Sequence, residues 1–272
     1  MSDFQFKDQI ICITGAAGGI GYGLAQMFIA AGARVAISDR NAPHETAKSL
    51  NDKARGDKAR AYACDVSDED SVIAFIEAVR RDFGPIDIYC SNAGVGYGDG
   101  PGGYACGGSN KSWDVSWGVN VMGSVYAGRA LFPTWRERGS GRFVITASAA
   151  GLLNQTSSAS YSVTKHAAVG LAEAMAINHR EDGIGVHCIC PQYVRSNMTK
   201  GQDFAEQSKD GLLEPSDVAN ALAAAIKNED FLVLSHPIVL EYYRSKGHDY
   251  NRWVSGMAKL KAKIAIFKMP LI

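Results

Sequence analysis

The chain has 272 residues, 46% of them hydrophobic, and its 28 basic side chains balance 28 acidic ones. That balance leaves no electrostatic footprint for nucleic acid or an anionic membrane, and no apolar stretch reaches the ~18 residues a spanning helix needs. The length suits one α/β domain, and the opening Met1-Ser-Asp-Phe-Gln-Phe-Lys7 has no signal-peptide character, so a cytoplasmic protein is expected.

In chain order, Gln9-Ile-Ile-Cys-Ile-Thr14 is a short apolar run suited to a buried parallel strand. It leads into Gly15-Ala-Ala-Gly18-Gly19-Ile20-Gly21 and then a helical pattern, Leu24-Ala-Gln-Met-Phe-Ile-Ala-Ala31. Glycines there let the backbone turn tightly and approach a pyrophosphate, which would sit on the positive end of the helix. A second apolar run, Arg34-Val-Ala-Ile-Ser38, ends in Asp39, 24 residues past Gly15. An acid at that distance accepts hydrogen bonds from the adenosine ribose. Strand, glycine turn, helix, strand and acid in register predict a dinucleotide site.

Ser67-Asp-Glu-Asp70 reads as a capped start for a helix running through Phe75 to Phe83. Ile86–Ser91, Arg142–Thr146 and Gly185–Cys190 read as the fourth, fifth and sixth strands. Residues 94–110 hold eight glycines in seventeen positions, which predicts a mobile, unpacked loop at the mouth of the site. Cys12, Cys90, Cys188 and Cys190 fall in expected buried strands, where thiols act as small apolar groups. Cys188 and Cys190 are expected on opposite strand faces, and no metal site is expected.

Ser148, Tyr161 and Lys165 form a Ser-x12-Tyr-x3-Lys pattern. A Tyr and a Lys four residues apart share one helical face. A phenol stays protonated up to pH ~10, so an ammonium that favours phenolate makes it a usable acid and base. Lowering that pKa by ~3 units takes roughly 4 kcal/mol. Ser148 can hydrogen-bond the oxygen whose charge changes as hydride moves. Tyr242 and Lys246 repeat the Tyr-x3-Lys spacing, but Glu229 stands thirteen residues before Tyr242. That second pair is expected on an ordinary amphipathic helix.

With these landmarks the sequence resembles the short-chain dehydrogenase/reductase family over nearly its whole length. The matching residues are Thr14-Gly15-x3-Gly19-Ile20-Gly21, Asp65-Val66, Asn92-Ala93-Gly94, Asn120, Ser148, Tyr161, Lys165, and Pro191 to Ser196 with Val194. The resemblance implies a single Rossmann-like α/β domain over 1–272, a doubly wound parallel sheet in three α/β/α layers. It implies Asp65 and Val66 against the adenine, and Asn92-Ala93-Gly94 beside the cofactor. Asn120 would position a water linking Lys165 to solvent, Lys165 would bind the nicotinamide ribose, and Val194 and Ser196 would contact the carboxamide. The implied cofactor is NAD in preference to NADP. Asp39 would repel a 2′-phosphate, whereas the adjacent Arg40 favours one.

Gln192 stands where the family usually has Gly, and Ser196 where it has Thr. The tail reads Phe231-Leu-Val-Leu-Ser-His236-Pro237 and then a polar helix at about 238–265, unlike the usual ending. A lid or substrate region is expected at about 197–213, with Tyr97, Tyr104, Gln155, Tyr193 and Met198 facing a small-molecule alcohol or ketone of partly aromatic character. Ser196-Asn197, Glu214-Pro215 and His236-Pro237 resemble bacterial members that oxidise benzylic alcohols. The resemblance also implies a homodimer or homotetramer built on the helix after Asn120 and the helix carrying Tyr161. The reading is an NAD-dependent alcohol dehydrogenase or ketone reductase; the alternatives are an NADPH-dependent carbonyl reductase and a non-catalytic dinucleotide sensor.

Overall fold

The computed structural model describes residues 6–200 and 211–263. Its centre is a parallel sheet of seven strands: β1 (Ile10–Thr14), β2 (Arg34–Asp39), β3 (Ala59–Ala63), β4 (Ile88–Ser91), β5 (Gly141–Thr146), β6 (Ile184–Ile189) and β7 (Leu232–Val233). They lie in the order β3-β2-β1-β4-β5-β6-β7. Every residue of β1 is buried, as its unbroken apolar run requires of a strand covered on both faces. The order reverses between β1 and β4, and at such a switch point the carboxyl ends of the strands open a crevice for ligand. The expected doubly wound α/β/α architecture is therefore present.

One layer holds α1 (Gly19–Ala30), α2 (His44–Ala54) and α7 (Pro215–Asn228). Gly23 lies so close to Pro215 of α7 that a Cβ would come within 2.7 Å of its Cβ and carbonyl oxygen. On the opposite face α3 (Glu69–Phe83), α5 (Gly123–Arg138) and α6 (Ala159–Asn178) cover Tyr89, Phe143 and Trp135. Burying each such large side chain contributes about 1.5–3 kcal/mol. Asp68 caps α3 by accepting from the Asp70 amide at 3.2 Å, inside the acidic stretch that suggested the helix start.

Two expectations need correction. The tail is two helices, α8 (Ile238–His248) and α9 (Tyr250–Lys263), broken at Asp249, whose extended backbone (φ −145, ψ 91) ends the first; residues 264–265 of the expected span lie outside the described residues. Cys188 and Cys190 share a strand face, as residues two apart must, and their Sγ atoms are 3.8 Å apart. The glycine-rich segment is fastened to α6 at Tyr97 and Asp99, while most of residues 100–106 are exposed. Among the described residues no helix is long and apolar enough to cross a membrane, and no cluster of three metal-ligating side chains occurs.

Candidate active site

The glycine turn after β1 is built by backbone that only glycine tolerates. Gly15 has φ +63, and a Cβ on it would come 2.7 Å from the Cα of Ala93. A Cβ on Gly21 would meet the Gly15 carbonyl at 2.6 Å and Asn92 Nδ2 at 2.7 Å. Asn92 locks this geometry, because its Nδ2 donates to the carbonyls of Thr14 (2.9 Å) and Gly15 (3.1 Å). Thr14 Oγ1 accepts from the amides of Asn92 (3.0 Å) and Ala93 (3.1 Å), tying the ends of β1 and β4 together.

The turn fits a pyrophosphate. Gly18, the residue before α1, presents open space where a Cβ would stand, and no side chain caps the first amides of α1. Such amides, at the positive end of a helix, favour an anion. Asp39 sits at the end of β2 and faces the same turn, accepting from the amides of Arg40 (2.9 Å) and Ala17 (3.4 Å). The Arg40 side chain is exposed. Asp65 is held below the usual carboxylate range by its hydrogen bond from Ser67, with a smaller contribution from the Arg40 guanidinium. Val66 is buried, and a Cβ on Gly123 would press into it.

Four further residues gather at the carboxyl ends of β4 and β5. Ser148 follows β5 and is buried; its Oγ accepts from the Ala150 amide at 3.1 Å. Tyr161 and Lys165 lie on α6, and Lys165 Nζ is 5.6 Å from the centroid of the Tyr161 ring. Lys165 Nζ donates to the Thr146 carbonyl at 2.9 Å. A Cβ on Gly94 would find Lys165 Nζ at 3.3 Å and Asn120 Oδ1 at 3.4 Å, so that glycine is the spacer between the two.

Asn120 lies in a five-residue π-helical turn, Gly118–Met122, between α4 (Asn110–Trp117) and α5. Turns of this kind are rare and concentrate at functional sites. The Asn120 amide accepts from the Val95 amide at 2.9 Å and donates to the Val95 carbonyl and Thr164 Oγ1, both at 2.9 Å.

Electrostatics in this cluster depart from expectation. Burial pushes the Tyr161 phenol above its ordinary value, against a smaller downward pull from its hydrogen bond with Ser148. Burial also pushes Lys165 down, to about 8. The ammonium therefore does not outweigh desolvation of the phenol, and the expected lowering by Lys165 is absent from the protein's own groups.

The segment after β6 closes the other side. Pro191 and Val194 are buried, and the Pro191 carbonyl accepts from the Ala149 amide at 2.8 Å, joining it to the turn after Ser148. Ser196 packs on the glycine turn, its Cβ 3.1 Å from where a Cβ on Gly19 would stand. Gln192 uses its amide to donate to His236 Nδ1 at 3.2 Å, and His236 Nε2 lies 3.2 Å from the Tyr193 carbonyl. Buried His236 thus anchors the tail to the segment, a role its place after β7 did not reveal in the sequence. Met198 lies in a short 3₁₀ turn, Asn197–Thr199, and Leu213 returns to bridge Val194. Residues 201–210, most of the expected lid, lie outside the described residues.

The glycine-rich segment is fastened to the head of α6. The carboxylate of buried Asp99 accepts from the Ala159 amide at 2.7 Å, and the Asp99 amide donates to the Ser157 carbonyl at 3.1 Å. Ser158 Oγ donates to the Tyr97 carbonyl at 2.6 Å, which brings Tyr97 to the end of α6 that bears Tyr161. Glycine there permits close packing: a Cβ on Gly107 would strike the Asp99 carbonyl at 2.4 Å. Tyr104 is 63% exposed, with its ring over Gly102 of its own loop, so it is not brought to the cluster of Ser148, Tyr161 and Lys165. Gln155 exchanges backbone hydrogen bonds with Ser162 Oγ of α6.

A family model described as short chain dehydrogenase matches residues 9–207. Sorbose reductase of Candida albicans is 31% identical over 75% of this chain and 71% of its own length. Meso-2,3-butanediol dehydrogenase of Serratia marcescens is 33% identical over 80% of this chain and 87% of its own. Among solved structures, a short chain dehydrogenase/reductase from Burkholderia phymatum in complex with NAD superposes with a TM-score of 0.78 at 28% identity, covering 92% of this chain and 96% of that one.

Proposed function

The chain belongs to the short-chain dehydrogenase family, and from that premise we propose an NAD-dependent oxidoreductase that interconverts a secondary alcohol and its ketone. The observation that carries this reading is the placement of Ser148, Tyr161 and Lys165 beside the glycine turn, at the carboxyl ends of neighbouring strands. Sorbose and 2,3-butanediol, named for the two relatives, are polyhydroxylated compounds. The substrate class we favour is accordingly a polyol or hydroxyketone rather than the aromatic alcohol the sequence suggested.

When bound, NAD supplies the hydride acceptor and a positively charged ring. In the oxidative direction Tyr161, as phenolate, would take the hydroxyl proton and Ser148 would donate to the substrate oxygen. Lys165 would hold the nicotinamide ribose and relay the proton onward from Tyr161. Burial raises the Tyr161 phenol, so a positive charge brought beside it with oxidised coenzyme would favour phenolate. Asn120 would serve the relay from a π-turn that its side-chain amide ties to Val95 and Thr164.

Asp39 supports NAD over NADP, because its carboxylate faces the turn where a ribose would lie and would repel a 2′-phosphate. A homo-oligomer is also proposed. A groove of about 400 Å³ between α5 and α6, lined by Val125, Gly128, Phe132, Leu171 and Met175, offers an apolar face to a second copy.

The test is a fluorescence titration with NADH and NADPH. Turnover is then measured on meso-2,3-butanediol, sorbose and a benzylic alcohol, with Tyr161→Phe as control. Tight NADH binding and diol oxidation that Tyr161→Phe abolishes are expected. Coenzyme binding with no turnover of any of the three would favour the dinucleotide sensor instead.

A further inference from the structure

Lys246 lies near the end of α8 and is buried. Its Nζ donates to the carbonyls of Leu152 (2.7 Å) and Leu153 (3.4 Å) and approaches His166 Nε2 at 3.3 Å. His166 Nδ1 lies 2.8 Å from the Ser162 carbonyl, so Nδ1 carries the proton and Nε2 accepts. None of the described carboxylates lies within ion-pair distance of this ammonium. A buried ammonium on neutral acceptors is an unfavourable choice for stability alone, which a leucine or methionine would serve better.

What the ammonium grips is the chain between Ser148 and Tyr161. That chain leaves Ser148 in the 3₁₀ turn Ala149–Gly151, where the Gly151, Leu152 and Leu153 amides donate to the Ser148 and Ala149 carbonyls. It then passes through two residues in the left-handed half of backbone space, Asn154 (φ 143) and Ser157 (φ 63), before entering α6. On the inner side Gln155 is held by Ser162. On the outer side the hydrogen bonds to Leu152 and Leu153 come from Lys246.

We propose that Lys246 is a positioning residue for the substrate end of the site. It holds the Leu152–Gln155 wall and thereby sets Ser148 relative to Tyr161. The α8–α9 tail is then part of the apparatus that selects substrate. This rests on the reading of Ser148 and Tyr161 as the groups that handle the substrate oxygen.

The protein is compared with Lys246→Met, Lys246→Arg and His166→Leu by hydrogen exchange of the peptide spanning 149–158, by NADH titration, and by kinetics on meso-2,3-butanediol. For Lys246→Met we expect exchange in that peptide at least tenfold faster, NADH Kd within threefold of wild type, and kcat/KM lowered at least tenfold, mainly through KM. Lys246→Arg should recover much of both losses, which a purely structural role would not require. His166→Leu removes one acceptor and should give a loss of about threefold in the same two readouts. If Lys246→Met does not fold, His166→Leu decides the matter by the same readouts. Unchanged exchange in 149–158 in Lys246→Met, or kcat/KM within twofold of wild type in that variant, overturns the proposal, and where Lys246→Met does not fold the same result in His166→Leu overturns it. Faster exchange in a protein whose wild type turns over no diol would leave Lys246 in its place and remove the polyol reading instead.

Discussion

Lys165 Nζ donates to the Thr146 carbonyl at 2.9 Å and stands 5.6 Å from the centroid of the Tyr161 ring. The ammonium is thus anchored to the end of β5 rather than to the phenol. Of the two groups it is Lys165, at about 8, that titrates nearer neutrality, while burial holds Tyr161 above its ordinary value. If Lys165 donates to the nicotinamide ribose, NADH affinity of the free protein should fall as pH rises through about 8. Fluorescence titrations from pH 6 to 10 check this, and an affinity that stays flat across that range would remove Lys165 from coenzyme binding.

The same shift predicts a stability gain on removing the charge. Unfolded Lys165 keeps its proton up to 10.5, whereas the folded protein releases it at about 8. Between those values the unfolded state binds more protons, so stability rises with pH across that window, and below it the full penalty applies. At 1.36 kcal/mol per unit the penalty is about 3 kcal/mol, partly offset by the hydrogen bond to Thr146 at about 1 kcal/mol. Lys165→Met should therefore be more stable than wild type at pH 7, by about 2 kcal/mol in denaturant titration, while losing turnover. A variant less stable than wild type at pH 7 would show that desolvation of this lysine has been overstated.

Those electrostatics were invisible in the sequence, where Tyr-x3-Lys spacing fixes a shared face but not the polarity around it. The elements themselves were legible because their causes are local. β1 is dictated by an apolar run, and the glycine turn by left-handed angles that favour glycine combined with approaches too close for a Cβ. Asp39, Asn92 and Ser148 follow because each stands at or just past the carboxyl end of a strand. Lys246 shows the opposite case. Its helix was foreseen, but the surface that buries it, Leu152, Leu153 and His166, comes from 80 to 94 residues away. Cys188 and Cys190 were misplaced by an error of strand periodicity alone.

Asp39 provides a sharper test of the coenzyme. Its carboxylate already accepts from the Ala17 and Arg40 amides, which fixes it beside the turn. Asp39→Ala should weaken NADH and improve NADPH relative to it, each effect worth about 1–3 kcal/mol through lost ribose hydrogen bonds and relieved repulsion. Paired titrations measure both. A wild-type protein that prefers NADPH tenfold would defeat the argument before any substitution is made.

The α5–α6 groove predicts a specific dissociating substitution. Leu171 lines it and is only partly buried, so a charge there should be tolerated by the folded protomer and not by an apolar contact between copies. Leu171→Arg should shift light scattering at micromolar concentration toward monomer with little change in circular dichroism. Monomeric wild-type protein under the same conditions would refute the assembly.

Asp99 should matter to catalysis although its place among glycines suggests a free loop. Its carboxylate accepts from the Ala159 amide at 2.7 Å, in the first turn of the helix that presents Tyr161 two residues later. A carboxylate capping a helix start contributes ~1–2 kcal/mol through the hydrogen bond and the helix dipole together. Asp99→Ala leaves that amide without its acceptor, so the segment stays tied to α6 only by the Asp99 amide on Ser157 and by Ser158 on Tyr97. Stability should fall by about 1–2 kcal/mol, and kcat should fall severalfold as the head of α6 loosens around Tyr161. NADH affinity should hold, since the glycine turn lies on the other side of β4. Asp99→Asn keeps an acceptor oxygen and should recover most of both. Thermal melts and steady-state kinetics on the three proteins read these effects. If Asp99→Ala matched wild type in melting temperature and kcat, the loop would be a passive surface feature and the carboxylate an incidental neighbour of α6.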